Sequence, residues 1–325
     1  MRFAVVSLVL AGCTPTYVAG TELAASGGGS SLGDDDDVGP QSSDDGTPGD
    51  CVIPTRLPDC DAAADPLRAL EVACWDGISA AEFRSDDPGG WRRAHEYGNA
   101  FWTATDSDAV LVLSTGVLPE PDPNGQVVLA TGAAQLASTD NANPDALPDP
   151  LVPPAEGARD VVWFRFDADV PPDVRGYSVR FALLTAEYPE RVDASASDTF
   201  VWWSDSEQFT GDLATLDGQP ASVPGLASLL SAHAGDDPML LRTGFDGGEG
   251  QPCTVDGIEL ADCPIGAATG WLELRGPAVG GERISIVAAL YDHGDSQLDT
   301  AVVVDRFGWS CDSCLNDDSC GLAAP

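Results

Sequence analysis

The chain lacks lysine altogether, which sets its electrostatic character. All 15 basic residues among its 325 are arginine, 53 residues are acidic, and the formal net charge is −38 at pH 7. A surface of this sign repels phosphate, so the composition disfavours nucleic acid and anionic lipid as partners and favours divalent cations. The same excess of carboxylates suits a salty medium, where screening weakens their mutual repulsion.

The familiar signatures of catalysis are also missing. The chain has three histidines, no HExxH sequence, no serine in a nucleophile elbow and no glycine-rich phosphate loop after a strand. Long apolar runs are absent as well, because the strongest internal ones, 284–290 and 301–304, have only the length of strands. The sequence therefore favours a noncatalytic protein whose main domain does not span a membrane.

The first residues resemble a bacterial lipoprotein signal. Arg2 precedes an apolar run over 3–10, and Leu10-Ala11-Gly12-Cys13 resembles a lipobox. The resemblance implies a signal peptide over 1–12, acylation of Cys13 and stable anchoring to a membrane by more than one acyl chain. Thr14 resembles outer-membrane sorting, so the expected location is the cell surface at the outer membrane. The alternative is an ordinary secretory signal with an incidental cysteine.

A composition change after Cys13 predicts the domain organisation. Residues 13–50 are rich in glycine, serine and aspartate, including Asp34 to Asp37, and indicate a disordered tether. Residues 51–325 are predicted to form a single domain, with the proline-rich stretch 119–154 as a long surface excursion.

Eight cysteines remain after Cys13, an even number that in an exported protein indicates up to four disulfides. Spacing does not determine their connectivity. Cys253 and Cys263 flank one short loop and are the predicted pair. Cys311, Cys314 and Cys320 also raise the alternative of zinc thiolates, although an oxidising compartment favours a disulfide-rich C-terminus.

Apolar periodicity predicts an all-β protein with one or two short helices. Asp65-Pro66 begins one helix, and 226–233 is a second candidate. Period-two alternation then predicts strands separated by turn residues and long acidic loops. These strands are 109–113, 126–130, 161–166, 177–181, 199–203, 255–260, 283–291 and 300–307. Many short strands of this kind indicate an antiparallel β-sandwich of jelly-roll type.

An ordered set of motifs extends from the first predicted helix to the last strand. These motifs are VLVLSTG at 110–116, TAEYPE at 185–190, SDTFV at 197–201, TGF at 243–245, GAATGWL at 266–272 and YDHGDSQLDTAVVVDRFGW at 291–309. In this order they resemble the choice-of-anchor L family of bacterial surface proteins over roughly residues 60–310. The resemblance implies a surface β-domain without an established catalytic activity.

Carboxylates on two segments predict a calcium site. Asp292, Asp295 and Asp299 fall within eight residues around a glycine, and Glu187 and Asp198 stand beside apolar residues, where burial requires compensation of their charge. Clustered hard oxygen ligands of this kind suit calcium. The alternative is that each carboxylate caps a turn, as aspartate commonly does.

Adjacent tryptophans at 202 and 203 must point to opposite faces of a strand, so one belongs to the core and the other lies exposed or under a loop. An exposed tryptophan could stack on a sugar ring, and the alternative is a strand that is buried on both sides. The sequence thus predicts a lipid-anchored, noncatalytic cell-surface protein that binds extracellular glycan or protein, as in adhesion. Two alternatives stay open: a surface polysaccharide hydrolase using paired carboxylates, and a structural envelope component.

Overall fold

The structure is a computed structural model. It describes residues 51–55, 66–72, 75–104, 108–132, 136, 147–152, 157–189, 191–232, 237–247, 253–255, 258–260, 266–294, 298–316 and 319–323. The predicted signal peptide 1–12, Cys13 and the tether 13–50 lie outside these residues. The chain divides into the units Met1–Thr47 and Pro48–Pro325, and every described residue belongs to the second unit. No helix in the described ranges is both long and apolar enough to cross a bilayer.

The described residues form strands almost throughout. One short helix, α1 (Pro66–Ala69), begins at the predicted proline, and a 3₁₀ helix occupies Cys314–Asn316. The strands are β1 (Ile78–Ser85), β2 (Trp91–Ala94), β3 (Glu96–Tyr97), β4 (Trp102–Thr103), β5 (Val110–Ser114), β6 (Gln126–Val127), β7 (Ala158–Asp169), β8 (Gly176–Thr185), β9 (Thr199–Asp205), β10 (Thr210–Asp212), β11 (Thr215–Leu216), β12 (Gln219–Ser222), β13 (Ser231–Ala232), β14 (Cys253–Val255), β15 (Ile258–Leu260), β16 (Ala267–Ala268), β17 (Leu272–Pro277), β18 (Arg283–His293), β19 (Thr300–Ser310) and β20 (Gly321–Ala323).

Two large antiparallel sheets contain most of these strands. Sheet A has the order β1-β7-β18-β9-β12-β11, with β10 also paired to β9. Sheet B has the order β13-β16-β8-β19-β5-β2, with β17 between β8 and β20. A two-stranded hairpin β14-β15 and a small sheet β4-β3-β6 stand beside them. The predicted antiparallel β-sandwich is confirmed.

Strict alternation of side chains builds the core between the sheets. Phe164 and Phe166 of β7, and Ile284 and Ile286 of β18, point inward from sheet A and are at most 1 % exposed. Phe181 of β8 meets them from sheet B. Because neighbouring residues of a strand face opposite sides, the intervening residues form the outer faces of the sandwich.

A bulge in β19 keeps large residues in this core at both ends of the strand. Val302 and Val304, at even positions, face inward. Further along the strand the inward-facing residues are Phe307 and Trp309, at odd positions. The register shifts between Asp305 and Phe307, where Arg306 has a positive φ of 51°. One extra residue thus reverses the alternation, as a β-bulge does.

The outer faces of both sheets are partly covered. On sheet A, Leu147 and Leu151 of the 119–154 excursion pack against Trp163, Val201 and Ala289. On sheet B, residues such as Val110, Val112, Val303 and Leu184 pack under a second layer that includes Trp102 and Phe245.

The tryptophan pair divides as the alternation predicts. Trp202 is fully buried in the central core, whereas Trp203 is half-buried on the outer face of sheet A, next to the loop that contains Leu147 and Leu151. An aromatic side chain therefore lines the outer face.

Two sequence predictions of local structure are wrong. The helix expected at 226–233 is a run of turns over 223–229, after which Ser231–Ala232 become β13 and pair with β16; residue 233 lies outside the described part. Only isolated helical bonds form, such as Leu230 N to Leu226 O at 3.0 Å, because sheet pairing takes the following residues. The strand expected at 255–260 is instead split between β14 and β15 of a hairpin.

Two disulfides lie within the described residues. Cys51 bonds Cys311 across a sequence separation of 260, and Cys314 bonds Cys320 across a separation of 6. The predicted disulfide-rich C-terminus is confirmed. Because Cys311, Cys314 and Cys320 all form disulfides, they do not serve as zinc thiolates. The predicted pair of Cys253 and Cys263 lies outside the described side chains.

We expect the two disulfides to differ in their contribution to stability. A cross-link stabilises mainly by restricting the unfolded chain, and the effect grows with the logarithm of the loop closed. For separations of 260 and 6 this relation gives a difference of about 3 kcal/mol. Cys51→Ser with Cys311→Ser should therefore lower the free energy of unfolding more than Cys314→Ser with Cys320→Ser does. Urea denaturation of both variants measures this, and equal losses would contradict it.

Candidate metal centre

Strand ends of sheet B bring two of the predicted carboxylates together. Glu187 follows β8 and Asp299 immediately precedes β19. These strands pair antiparallel, with Thr185 opposite Thr300, so the end of one lies beside the start of the other. A hydrogen bond from Ala186 N to the Asp299 carbonyl oxygen, 3.1 Å long, fixes this junction.

Sheet A supplies two more carboxylates at the same end of the sandwich. Asp198 immediately precedes β9 and Asp292 lies near the end of β18. These strands are also antiparallel neighbours, and Tyr291 stands opposite Thr199. We call Glu187, Asp198, Asp292 and Asp299 the carboxylate cluster.

Every member of the carboxylate cluster is buried. Glu187 is 2 % exposed, Asp198 1 %, and Asp292 and Asp299 5 % each. A buried carboxylate needs hydrogen-bond donors or an opposite charge, since the loss of water penalises its ionised form.

Donors surround Glu187. Its Oε2 accepts hydrogen bonds from the Ser197 hydroxyl and, at 3.1 Å, from the Asp198 amide. Its own amide donates to the Thr185 hydroxyl at 3.0 Å. Glu187, from sheet B, thereby fastens the segment that leads into β9 of sheet A.

A threonine links the two sheets on the other side of the cluster. Thr115 follows β5, and its hydroxyl donates to Asp198 Oδ2 at 2.9 Å. The same hydroxyl oxygen accepts from the Thr300 amide at 2.9 Å. Asp198 is therefore held on one oxygen by sheet B.

The second oxygen of Asp198 is different. Oδ1 is buried and accepts no hydrogen bond from the described residues. Burial raises the pKa of Asp198 well above its ordinary range, and the negative charges of Glu187, Asp292 and Asp299 raise it further. This oxygen needs either a proton or a cation.

The structure thus unites four of the five predicted ligands, while Asp295 lies outside the described residues. Within the described part, no three His, Cys, Asp or Glu side chains already form a coordination group. A bound cation would require the carboxylates to turn toward it.

Two residues of this region were missed in the sequence analysis. Thr115 directly follows the apolar strand 110–114, and Asp246 directly follows the TGF motif. Asp246 is 1 % exposed, and its Oδ2 accepts the amides of Gly132 and Arg242 at 3.1 and 3.0 Å. Burial, then Asp246 and Asp299, raise the pKa of Tyr97. The position of each polar residue, immediately after an apolar motif, was the feature of the sequence that could have indicated these two residues.

No protein-family model matches the chain, and no curated protein matches it. Two solved structures share a general likeness. One is the carbohydrate-binding module TmCBM61 in complex with β-1,4-galactotriose, at 8 % identity and a TM-score of 0.27, covering 71 % of this chain and 88 % of that one. The other is a cleaved adhesin domain of Lys-gingipain from Porphyromonas gingivalis, at 11 % identity and a TM-score of 0.27, covering 70 % and 92 %. Similarity at this level carries no functional argument.

The raised pKa of Asp198 predicts a pH dependence in the metal-free protein. The folded carboxyl holds its proton more tightly than the unfolded one, whose pKa is about 3.9. The stability gained from protonation is therefore complete below about pH 3.9 and is lost as pH rises through the folded pKa. Metal-free Asp198→Asn should be more stable than wild type at about pH 7, and its advantage should shrink toward about pH 4.

Urea denaturation of both proteins across this range provides the measurement. Asp173→Asn, which changes an exposed carboxylate, is the control and should show no such trend. An Asp198→Asn effect that is independent of pH would contradict the assignment.

Proposed function

We propose that the chain is a noncatalytic, calcium-stabilised β-sandwich of the bacterial cell surface, which binds extracellular glycan or protein. The observation that carries this proposal is the burial of the carboxylate cluster. Carboxylates from both sheets that repel one another at a buried junction suit a site where a bound cation joins the sheets.

The same burial weighs against the hydrolase alternative. A glycosidase needs two carboxyl groups on either side of a bond in a bound sugar, and hence in a cleft that the sugar can enter. The cluster carboxylates are at most 5 % exposed, so a polysaccharide would not reach them without rearrangement.

Calcium fits the chemistry of the cluster. It takes about six to eight oxygen ligands in flexible geometry. The cluster offers four carboxylates, and the Thr115 hydroxyl lies next to it on Asp198. Asp198 Oδ1 is buried and accepts no hydrogen bond from the described residues, so it is the atom whose environment a cation would improve most. Asp295, which lies outside the described residues, stays a further candidate ligand from the sequence.

Anchoring remains part of the proposal. Acylation at Cys13 would hold the protein at the outer membrane, and the tether 13–50 would let the sandwich extend from that surface. Membership of the choice-of-anchor L family, which the ordered motifs suggest, agrees with a surface β-domain attached in this way.

Calcium should raise the melting temperature of the wild-type protein. A ligand that binds only the folded state stabilises it by about 2.7 kcal/mol at a hundredfold excess over its Kd. Asp198→Asn should abolish most of the shift, Asp173→Asn should retain it, and magnesium should substitute poorly because it demands tighter octahedral geometry. Coincident melting curves of wild type with calcium and with chelator would contradict the calcium assignment.

The function itself is tested with the full chain carrying Cys13→Ser. This variant should move from the membrane fraction to the soluble fraction, since it lacks the acylated sulfur. The soluble protein should then bind a member of a panel of extracellular polysaccharides and matrix proteins without releasing reducing sugar. Release of reducing sugar would support the hydrolase, and absence of any binding would favour the structural alternative.

A further inference from the structure

A groove crosses the outer face of sheet A, away from the carboxylate cluster. Outward-pointing residues of three adjacent strands stand in transverse rows. Val287 of β18 lies between Arg165 of β7 and Trp203 of β9. In the next row, Ser285 lies between Asp167 and Asp205. These rows, closed on one side by Asp149 and Pro150 of the 147–151 loop, are the outer-face groove.

Residue size explains why the face is grooved. In one row the central strand contributes the small Val287 between the long Arg165 and the aromatic Trp203, and in the next row it contributes Ser285, which is smaller than the flanking Asp167 and Asp205. The flanking strands are two strand spacings apart, about 9.5 Å. The resulting cavity has a volume of about 440 Å³, which is in the range of small-molecule sites.

The walls carry hydrogen-bonding groups that are already oriented. Arg165 forms an ion pair with Glu82 in which Nη2 and Oε2 are 2.6 Å apart. The Ser285 hydroxyl donates to Asp167 Oδ1 at 2.7 Å, and the Thr210 hydroxyl donates to Asp205 Oδ1 at 2.6 Å. Groups fixed before binding lose less conformational entropy when a ligand arrives.

These groups remain accessible to a ligand. The side chains of Arg165 and Asp167 are 46 % and 32 % exposed, Asp205 is exposed, and Trp203 is half-buried. The groove therefore has walls that carry an aromatic side chain, carboxylates and a guanidinium, and a floor of small residues between them.

We propose that the outer-face groove binds a neutral polysaccharide chain. A pyranose ring would pack its C–H face on Trp203, since an aromatic side chain offers a large rigid apolar surface. Its hydroxyls would donate to the carboxylates of Asp167 and Asp205 and accept from Arg165, in charge-assisted hydrogen bonds. This inference rests on the proposed binding function and assigns it a place and a ligand class.

Charge selects the neutral class. Three of the groove residues are aspartates, Arg165 is already paired with Glu82, and the protein carries a net charge of −38. An anionic glycan would meet repulsion both in the groove and at long range. A neutral glycan meets neither.

The test uses the full chain with Cys13→Ser and a panel of neutral hexose oligosaccharides. One pair of probes isolates charge: β-1,4-mannohexaose and the corresponding β-1,4-mannuronate hexamer, which differ at C6 of each ring. Trp203→Ala removes the aromatic wall. Ser285→Arg fills the floor with a side chain that the neighbouring carboxylates of Asp167 and Asp205 accommodate. The matched control is Trp271→Ala, which alters another half-buried tryptophan, on the side of sheet B.

Calorimetry should show that a neutral oligosaccharide binds and that both groove variants weaken it at least about tenfold, the usual effect of truncating an aromatic anchor. Trp271→Ala should bind as the parent does, the uronate probe should bind more weakly than its neutral counterpart, and melting curves establish that each variant is folded. If Trp203→Ala fails to fold, Ser285→Arg decides the outcome.

Neutral-glycan binding that survives both groove variants would overturn the groove assignment and leave the proposed binding function standing. Binding of matrix proteins alone would also overturn it, in favour of a protein partner. Absence of all binding would overturn both the groove assignment and the proposed function.

Discussion

The antiparallel pairing of the long central strands determines most of what this molecule can do. β18 pairs with β7 and β9 in sheet A, and β19 pairs with β8 and β5 in sheet B. Each of the two central strands buries one row of side chains in the core and presents the other to an outer face. Their ends place the loops that carry the carboxylates. A one-residue slip in the register of either strand would exchange its two rows of side chains. In β18 the core residues would then face the groove, and in β19 they would face the covered outer side of sheet B.

Burial of four neighbouring carboxyl groups is the main electrostatic problem that this arrangement creates. A buried carboxylate can be neutralised by a proton, which its raised pKa favours, or by a cation, which favours the ionised form. Both apply to Asp198, because Thr115 donates to one of its oxygens, while the other is buried and accepts no hydrogen bond within the described part of the chain. Proton and cation therefore compete for the same group, and a cation should bind more weakly as the pH falls.

Local patterns in the sequence were sufficient to predict a β-sandwich. They did not predict which residues far apart in the sequence come into contact. Alternation predicted the strands at 177–181 and 283–291 because a half-buried strand shows its period over a few residues. The bond of Cys51 to Cys311 and the contact of Thr115 with Asp198 join residues far apart in sequence, so no spacing rule reveals them. The helix predicted at 226–233 was wrong because pairing of β13 with β16 outweighed a weak helical signal. The groove could not be predicted from the sequence either, because its walls come from strands that become neighbours only after folding.

The candidate metal centre and the outer-face groove share strands yet are separate sites. Asp198 immediately precedes β9 and Trp203 lies within it, five residues further along the chain, which at about 3.4 Å per residue is about 17 Å. A cation at the cluster is therefore too distant to coordinate a sugar that lies against Trp203. Calcium would act on the groove only by keeping β9 and β18 in place, because both strands begin or end at the cluster and continue beneath the groove. On this geometry, removal of a bound calcium ion would weaken glycan binding only to the extent that the protein unfolds, and the affinity of the folded fraction would stay the same.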